Sequence, residues 1–145
     1  MPSAGPGASE LVFLDANVLF SASLGGEVFE AIWLGARKGR YRLATSPYCL
    51  LEARENLARK RPQALRGLKD RLKVVRLVPE ANGEAWMEGL VPEKDLPFLA
   101  AAVAAGASVL LTGDTRHFGP LMARQDLPLR VLTPGDFIRS FRPSG

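Results

Sequence analysis

Cysteine and histidine are almost missing from this sequence: Cys49 and His117 stand alone among 145 residues. A single cysteine excludes an intramolecular disulfide framework and any multi-cysteine zinc site, and it fits a reducing compartment. A single histidine excludes a histidine-rich metal centre. Long apolar runs are lacking as well. No uncharged stretch approaches the roughly 18 residues of a membrane span. The first ten residues have no apolar signal-peptide centre, so a cytoplasmic location and no membrane partner are expected. The patterns G-x-x-x-x-G-K-[ST] and G-x-G-x-x-G are absent, which removes sequence support for nucleotide-triphosphate and dinucleotide chemistry. No internal repeat or heptad array is visible.

What remains is the composition of a globular protein, with 47% hydrophobic and 23% charged residues and a mean hydropathy of +0.03. The length suits one domain with its own core. Residues 1–10 read as a flexible arm, 11–141 as a single domain and 142–145 as a tail. The net charge is +4 and the sequence pI about 9.6, which favours a polyanionic partner. The excess is concentrated: Arg54, Arg59, Lys60, Arg61, Arg66, Lys69, Arg71, Lys73 and Arg76 face only Glu55 and Asp70 in the same stretch. This is the candidate phosphate-contacting surface, with a solvated helix face as the ordinary alternative. Aromatics do not interleave there, so base stacking is not indicated.

Leu-Val-Phe-Leu from Leu11 is a short continuous apolar run, as expected of a strand buried on both faces. Further strands are expected over 41–45, 74–78, 108–112 and 129–132. Val28, Phe29, Ile32 and Trp33 recur at helical spacing, with Gly39 as a stop. Ser46-Pro47 opens a helix toward Lys60, the serine as N-cap and the proline in the first turn. Leu65, Leu68 and Leu72 mark a basic amphipathic helix, and another helix is expected around 84–89. Asp95 is placed to cap a helix ending at Gly106, and Thr133-Pro134 opens a last one through Phe141. Strands alternating with helices predict a three-layer α/β/α sandwich around a mainly parallel sheet of about five strands.

In such sheets ligands bind beyond the carboxyl ends of the strands. Asp15 ends the first strand and Asp114 follows the fourth. Glu52 and Asp95, near the starts of two helices, can reach the same rim. Clustered carboxylates repel, so they persist only when protons or cations neutralise them. With hard oxygen ligands available, Mg²⁺ or Mn²⁺ is the expected ion, one or two in number. Asn17 can steady a carboxylate, and Thr112 and Ser46 can lend hydroxyls.

Four segments then carry a resemblance: Leu-Asp-Ala-Asn-Val-Leu from Leu14, Ser-Pro-Tyr-Cys-Leu-Leu-Glu ending at Glu52, Asp-Leu-Pro-Phe-Leu-Ala-Ala-Ala from Asp95, and Leu-Thr-Gly-Asp-Thr-Arg-His-Phe from Leu111. In content and order the chain resembles the PIN domain family, in particular its small single-domain, VapC-toxin-like members. The resemblance implies a metal-dependent ribonuclease in which Asp15, Glu52, Asp95 and Asp114 hold one or two Mg²⁺ or Mn²⁺ ions. Asn17 and Thr112 match its frequent polar supports. It further implies RNA as substrate, a homodimer, and a small antitoxin protein as partner. Many members have another acid shortly after the Asp114 position, where this chain has Thr115, Arg116 and His117.

Ligand chemistry independently suggests hydrolysis of a phosphodiester by metal-activated water. Arg54, Arg59, Lys60, Arg61 and His117 are the expected RNA contacts. Each acid also has an ordinary reading: Asp95 as a cap, Asp114 in a turn, Glu52 on a solvated face, Asp15 at a strand end. His117 has one too, as a loop residue bonded locally. Cys49 beside Leu50 and Leu51 reads as a small buried hydrophobe, and Leu19, Phe20, Phe29 and Trp33 read as core. Two other functions stand beside the nuclease. One is a catalytically silent RNA-binding or partner-binding module. The other is a haloacid-dehalogenase-like phosphatase, disfavoured because Asn17 occupies the position of that chemistry's general acid.

Overall fold

The computed structural model describes residues 10–140; the expected arm, except Glu10, the tail and Phe141 lie outside them. Five strands form one parallel sheet in the order β3-β2-β1-β4-β5. They are β1 (Leu11–Leu14), β2 (Arg42–Thr45), β3 (Val75–Leu77), β4 (Val109–Leu111) and β5 (Arg130–Leu132). β1 occupies the centre, and all of its residues are buried. A strand covered on both faces has no solvent side, which is why its sequence runs apolar without alternation. Val12 pairs with Leu43 on one side and with Val109 on the other. The later strands are shorter than the sequence suggests by a residue or two at their ends, where pairing continues as single bonds such as Val78 N–H to the Thr45 carbonyl and Thr112 N–H to the Leu132 carbonyl.

Seven helices accompany the sheet among the described residues: α1 (Ala16–Leu24), α2 (Glu27–Arg37), α3 (Pro47–Lys60), α4 (Leu65–Arg71), α5 (Leu96–Ala104), α6 (Thr115–Met122) and α7 (Pro134–Ser140). Helical crossovers between the parallel strands build an α/β/α fold in which α1 packs against α3 and α4, α5 against β4, and α6 against β5. α2 packs against α7. The Ser46 hydroxyl accepts the Cys49 N–H at 3.2 Å, and Pro47 sits in the first turn where its missing N–H costs nothing. Gly39 and Gly106, just beyond α2 and α5, adopt φ of 76° and 77°, conformations that a side chain would strain. Gly67 of α4 lies so close to the Ser23 carbonyl of α1 that a Cβ there would collide with it.

Two helices escape the sequence reading. α1 carries no polar face to mark a period, since Ala16, Val18, Leu19 and Ala22 are buried. α6 contains Pro120, a residue that ordinarily signals a break. The helix expected at 84–89 is instead one 3₁₀ turn, Ala85–Met87, in which only Met87 is buried. Its neighbours are polar and exposed, so no apolar face exists to hold a longer helix.

Leu19 and Trp33 lie fully in the core, with Phe20 and Phe29 packed upon it, as the core reading requires. Arg71 does not belong to the basic surface where its sequence neighbours placed it. Its guanidinium lies 5.1 Å from the Trp33 ring centroid, donates to the Ala22 carbonyl at 2.9 Å and pairs with Glu30 at 2.8 Å. In return, Trp33 Nε1 donates to the Arg71 carbonyl at 2.9 Å. Among the described residues no single helix is long and apolar enough to cross a membrane.

Candidate metal centre

The chain lays β2 and β3 to one side of β1 and then crosses over to lay β4 and β5 on the other. The carboxyl ends of β1 and β4 therefore flank the switch point where a crevice opens in such sheets. Asp15 stands at this place and starts α1: its Oδ1 accepts the Ala16 N–H at 2.7 Å. Its Oδ2 accepts from Thr112 Oγ1 at 2.8 Å and from Asn17 Nδ2 at 3.2 Å. Asn17 Oδ1 in turn accepts the Gly113 N–H at 2.7 Å, and Thr112 Oγ1 accepts the Asp114 N–H at 3.0 Å. Asn17 is thus a strap between the ends of β1 and β4, holding Asp15 on one arm and the 113–114 turn on the other. Gly113 permits that approach, since a Cβ there would lie 3.3 Å from Asn17 Oδ1.

Asp114 is the N-cap of α6, its Oδ1 accepting the His117 N–H at 3.0 Å, so His117 lies in a helical turn rather than a loop. The other Asp114 oxygen is 2.8 Å from His117 Nδ1. Asp95 corrects a second expectation. Its backbone is helical, with φ −95° and ψ −9°, whereas a capping side chain needs an extended backbone to reach the first amides; it caps nothing. Its side chain turns inward instead. Asp95 is 7% exposed, and Oδ2 is buried without a hydrogen-bond donor. His117 Nδ1 is 3.1 Å from that oxygen, but the ring's bond goes to the nearer Asp114.

Glu52 lies half-buried on the second turn of α3. Its carboxyl is pushed up by burial and by the charge of Asp95, with Lys94 opposing. Asp15 is pushed up to about 6, chiefly by burial; the Thr112 and Ala16 bonds pull it back while Asp95 and Glu52 add to it. Asp95 is also raised, by burial and by Asp114, against the pull of His117 and Lys94. These effects join the four acids into one electrostatic group centred on Asp95. Lys94, which the sequence reading passed over, is its neighbouring cation, visible beforehand only as the residue preceding Asp95. Glu80 was also missed: its carboxylate accepts the Tyr48 N–H at 2.6 Å, at the start of α3.

The donor set suits a divalent cation. Asp95, Asp114 and His117 each offer one ligand atom, and these atoms lie within 4.8 Å of one another. A buried carboxylate oxygen lacking a donor is costly unless an ion meets it. Asp15 and Glu52 stand outside this trio but repel into the same space. The remaining candidates are placed elsewhere. Ser46 uses its hydroxyl on the α3 start. Arg54, Arg59, Lys60 and Arg61 are exposed, Arg59 touching Asn56 at 2.7 Å and Arg61 the Lys60 carbonyl at 2.9 Å. Lys60 is eight residues beyond Glu52 on one helix, about 12 Å along the axis. Cys49 is buried, and burial pushes its thiol up to about 12, so it is no nucleophile near neutrality.

A parallel α/β/α sandwich whose carboxylates gather at the switch point defines a class of α/β proteins with an acidic site at the strand ends, of which the particular family is set by sequence. The PIN domain profile matches residues 11–116, and the chain belongs to the PIN domain family. Its fold is similar to that of VapBC2 from Rickettsia felis, seen in a crystal structure bound to a DNA fragment from their promoter. There the identity is 17% over 85% of this chain and 98% of that one, with a TM-score of 0.64. It is also similar to PAE2754 from Pyrobaculum aerophilum, at 18% identity over 94% of this chain and 91% of that one, with a TM-score of 0.63. No functionally curated protein matches the chain.

Proposed function

We propose that this PIN domain is a divalent-metal-dependent endoribonuclease that hydrolyses RNA phosphodiester bonds and serves as the toxin of a toxin–antitoxin pair. One observation carries the catalytic reading: the buried Asp95 oxygen without a donor faces the same space as Asp114, with Asp15 and Glu52 electrostatically coupled to it. In this reading Asp15, Glu52, Asp95 and Asp114 hold one or two Mg²⁺ or Mn²⁺ ions. Such an ion, when bound, supplies Lewis acidity toward the phosphate and a more acidic water.

The chain's own residues set the geometry. Thr112 and Asn17 hold the Asp15 carboxylate through Oδ2, which leaves Oδ1, bonded only to the Ala16 N–H, with a lone pair for an ion. The first turn of α6 fixes Asp114 in the same way. Arg54, Arg59, Lys60 and Arg61 hold the RNA backbone on approach, through contacts that carry no sequence information. The similarity in fold to VapBC2 supports a small antitoxin as partner, and the same reading takes a homodimer as the working assembly and the cytoplasm as its setting.

The test is incubation of the full chain with end-labelled single-stranded RNA in Mn²⁺ or Mg²⁺ and in EDTA, beside Asp95→Asn. Cuts are expected with the ion, and none in EDTA or with the variant, whose circular dichroism stays that of the parent. Binding without cleavage under every metal condition sinks the nuclease in favour of a silent RNA-binding module.

A further inference from the structure

We propose that His117 is a nitrogen ligand of the divalent ion held by Asp95 and Asp114, and that it turns the site from Mg²⁺ toward Mn²⁺ and the later first-row ions. The inference rests on the metal-centre reading above and adds a ligand of different chemistry to it.

Two of the three separations in this trio are those of neighbouring ligands, and the third lies within 4.8 Å. His117 Nδ1 lies 2.8 Å from Asp114 Oδ2 and 3.1 Å from Asp95 Oδ2. Two ligands each about 2.1 Å from an octahedral ion, at right angles, are about 3.0 Å apart. The turn that carries the imidazole is also held in place, because the His117 backbone N–H is bonded to the other oxygen of Asp114, within the first turn of α6. The ring's own contact to Asp114 Oδ2 then sets it beside the carboxylate.

An ordinary local bond explains only half of this arrangement. One ring N–H can satisfy Asp114 or Asp95, and Asp95 Oδ2 remains buried without a donor. A cation among the three atoms uses a lone pair from each and leaves none stranded. It requires the neutral ring with its proton on Nε2, which puts the Nδ1 lone pair toward the carboxylates. The chemical consequence follows from ligand type. Carboxylate oxygens alone suit Mg²⁺, whereas an imidazole nitrogen adds affinity for Mn²⁺, Fe²⁺ and Co²⁺ that Mg²⁺ does not share.

Because His117 is the chain's one histidine, labelling every histidine of the untagged protein with ¹⁵N labels this ring alone. Mn²⁺ is added to the full chain, its binding is counted by electron paramagnetic resonance, and its ligands are read by electron spin echo envelope modulation. The expected result is ¹⁴N modulation that changes to ¹⁵N on labelling and vanishes in His117→Asp. That variant restores an all-oxygen set; it still binds Mn²⁺, but its preference for Mn²⁺ over Mg²⁺ falls by about tenfold or more, the scale on which metal-site partners act. Mn²⁺ bound without nitrogen modulation, or an unchanged preference in His117→Asp, overturns the role of His117 while leaving the metal centre standing. No bound Mn²⁺ in either protein overturns both.

Discussion

Asp15 accepts three hydrogen bonds and is nevertheless pushed up to about 6, because burial of the charge outweighs what its donors return. The ionised carboxylate is therefore disfavoured in the folded protein relative to the unfolded chain. Between its ordinary value of 3.8 and about 6 the folded state binds the extra proton, so stability falls as pH rises through that window. The full cost above it is about 3 kcal/mol as an upper figure. Burial raises Glu52 and Asp95 in the same direction. Urea unfolding in EDTA should show the protein less stable at pH 7 than at pH 4, with Asp15→Asn losing the Asp15 share of that fall. Mn²⁺ at pH 7 should restore stability to the parent. A parent protein that gains stability across this window in EDTA contradicts the account.

The same residue shows what a sequence can reveal about a site. Asp15 and Asp114 were legible because a strand end in a parallel sheet fixes where its next residue points. Asp95 and His117 were harder. Their meeting depends on α6 starting at once after Asp114, and nothing local in Thr-Arg-His-Phe-Gly-Pro announces a helix. The buried, donor-free oxygen of Asp95 is a property of tertiary packing alone.

Among the elements, those with one apolar face or a strong cap were readable: α2 and α3 begin and end near their signals, while α5, without a side-chain cap and buried over 98–102, was bounded by Pro97 in its first turn and Gly106 beyond its end. α1 was not, since a helix without a polar stripe has no period to read. Its fit against α4 gives a prediction with two competing signs. Gly67→Ala relieves about 1 kcal/mol of glycine's helix penalty in isolation. Here the added Cβ meets the Ser23 carbonyl of a neighbouring helix. Overpacking against backbone costs about 1 to 3 kcal/mol, so a net loss of stability is expected, read as a lower urea midpoint with an unchanged slope. A raised midpoint would show that α1 and α4 do not approach each other this closely.

For the molecule as a whole, the net charge of +4 is the crudest observation and the one most dependent on the fold for its meaning. Arg71 is spent internally on Trp33, Glu30 and Ala22, and Lys73 pairs with Asp70 at 3.0 Å. The exposed end of α3, together with the exposed Arg66, Lys69 and Arg76, remains as the basic surface. Binding of single-stranded RNA should weaken with salt, and the double substitution Lys60→Ala, Arg61→Ala should lower the slope of log affinity against log salt by about 1.4, or about 0.7 for each phosphate no longer neutralised. An unchanged slope places the RNA on another face.

The claim on which the rest depends is that the crevice between β1 and β4 holds a divalent ion. Anomalous diffraction from crystals of the full chain grown with saturating Mn²⁺ addresses it directly. The account predicts a strong peak among Asp95, Asp114 and His117, on the side facing Asp15 and Glu52. A crevice without a peak, or Mn²⁺ found instead in the separate acidic cavity lined by Glu84, Glu88 and Glu93, would contradict it.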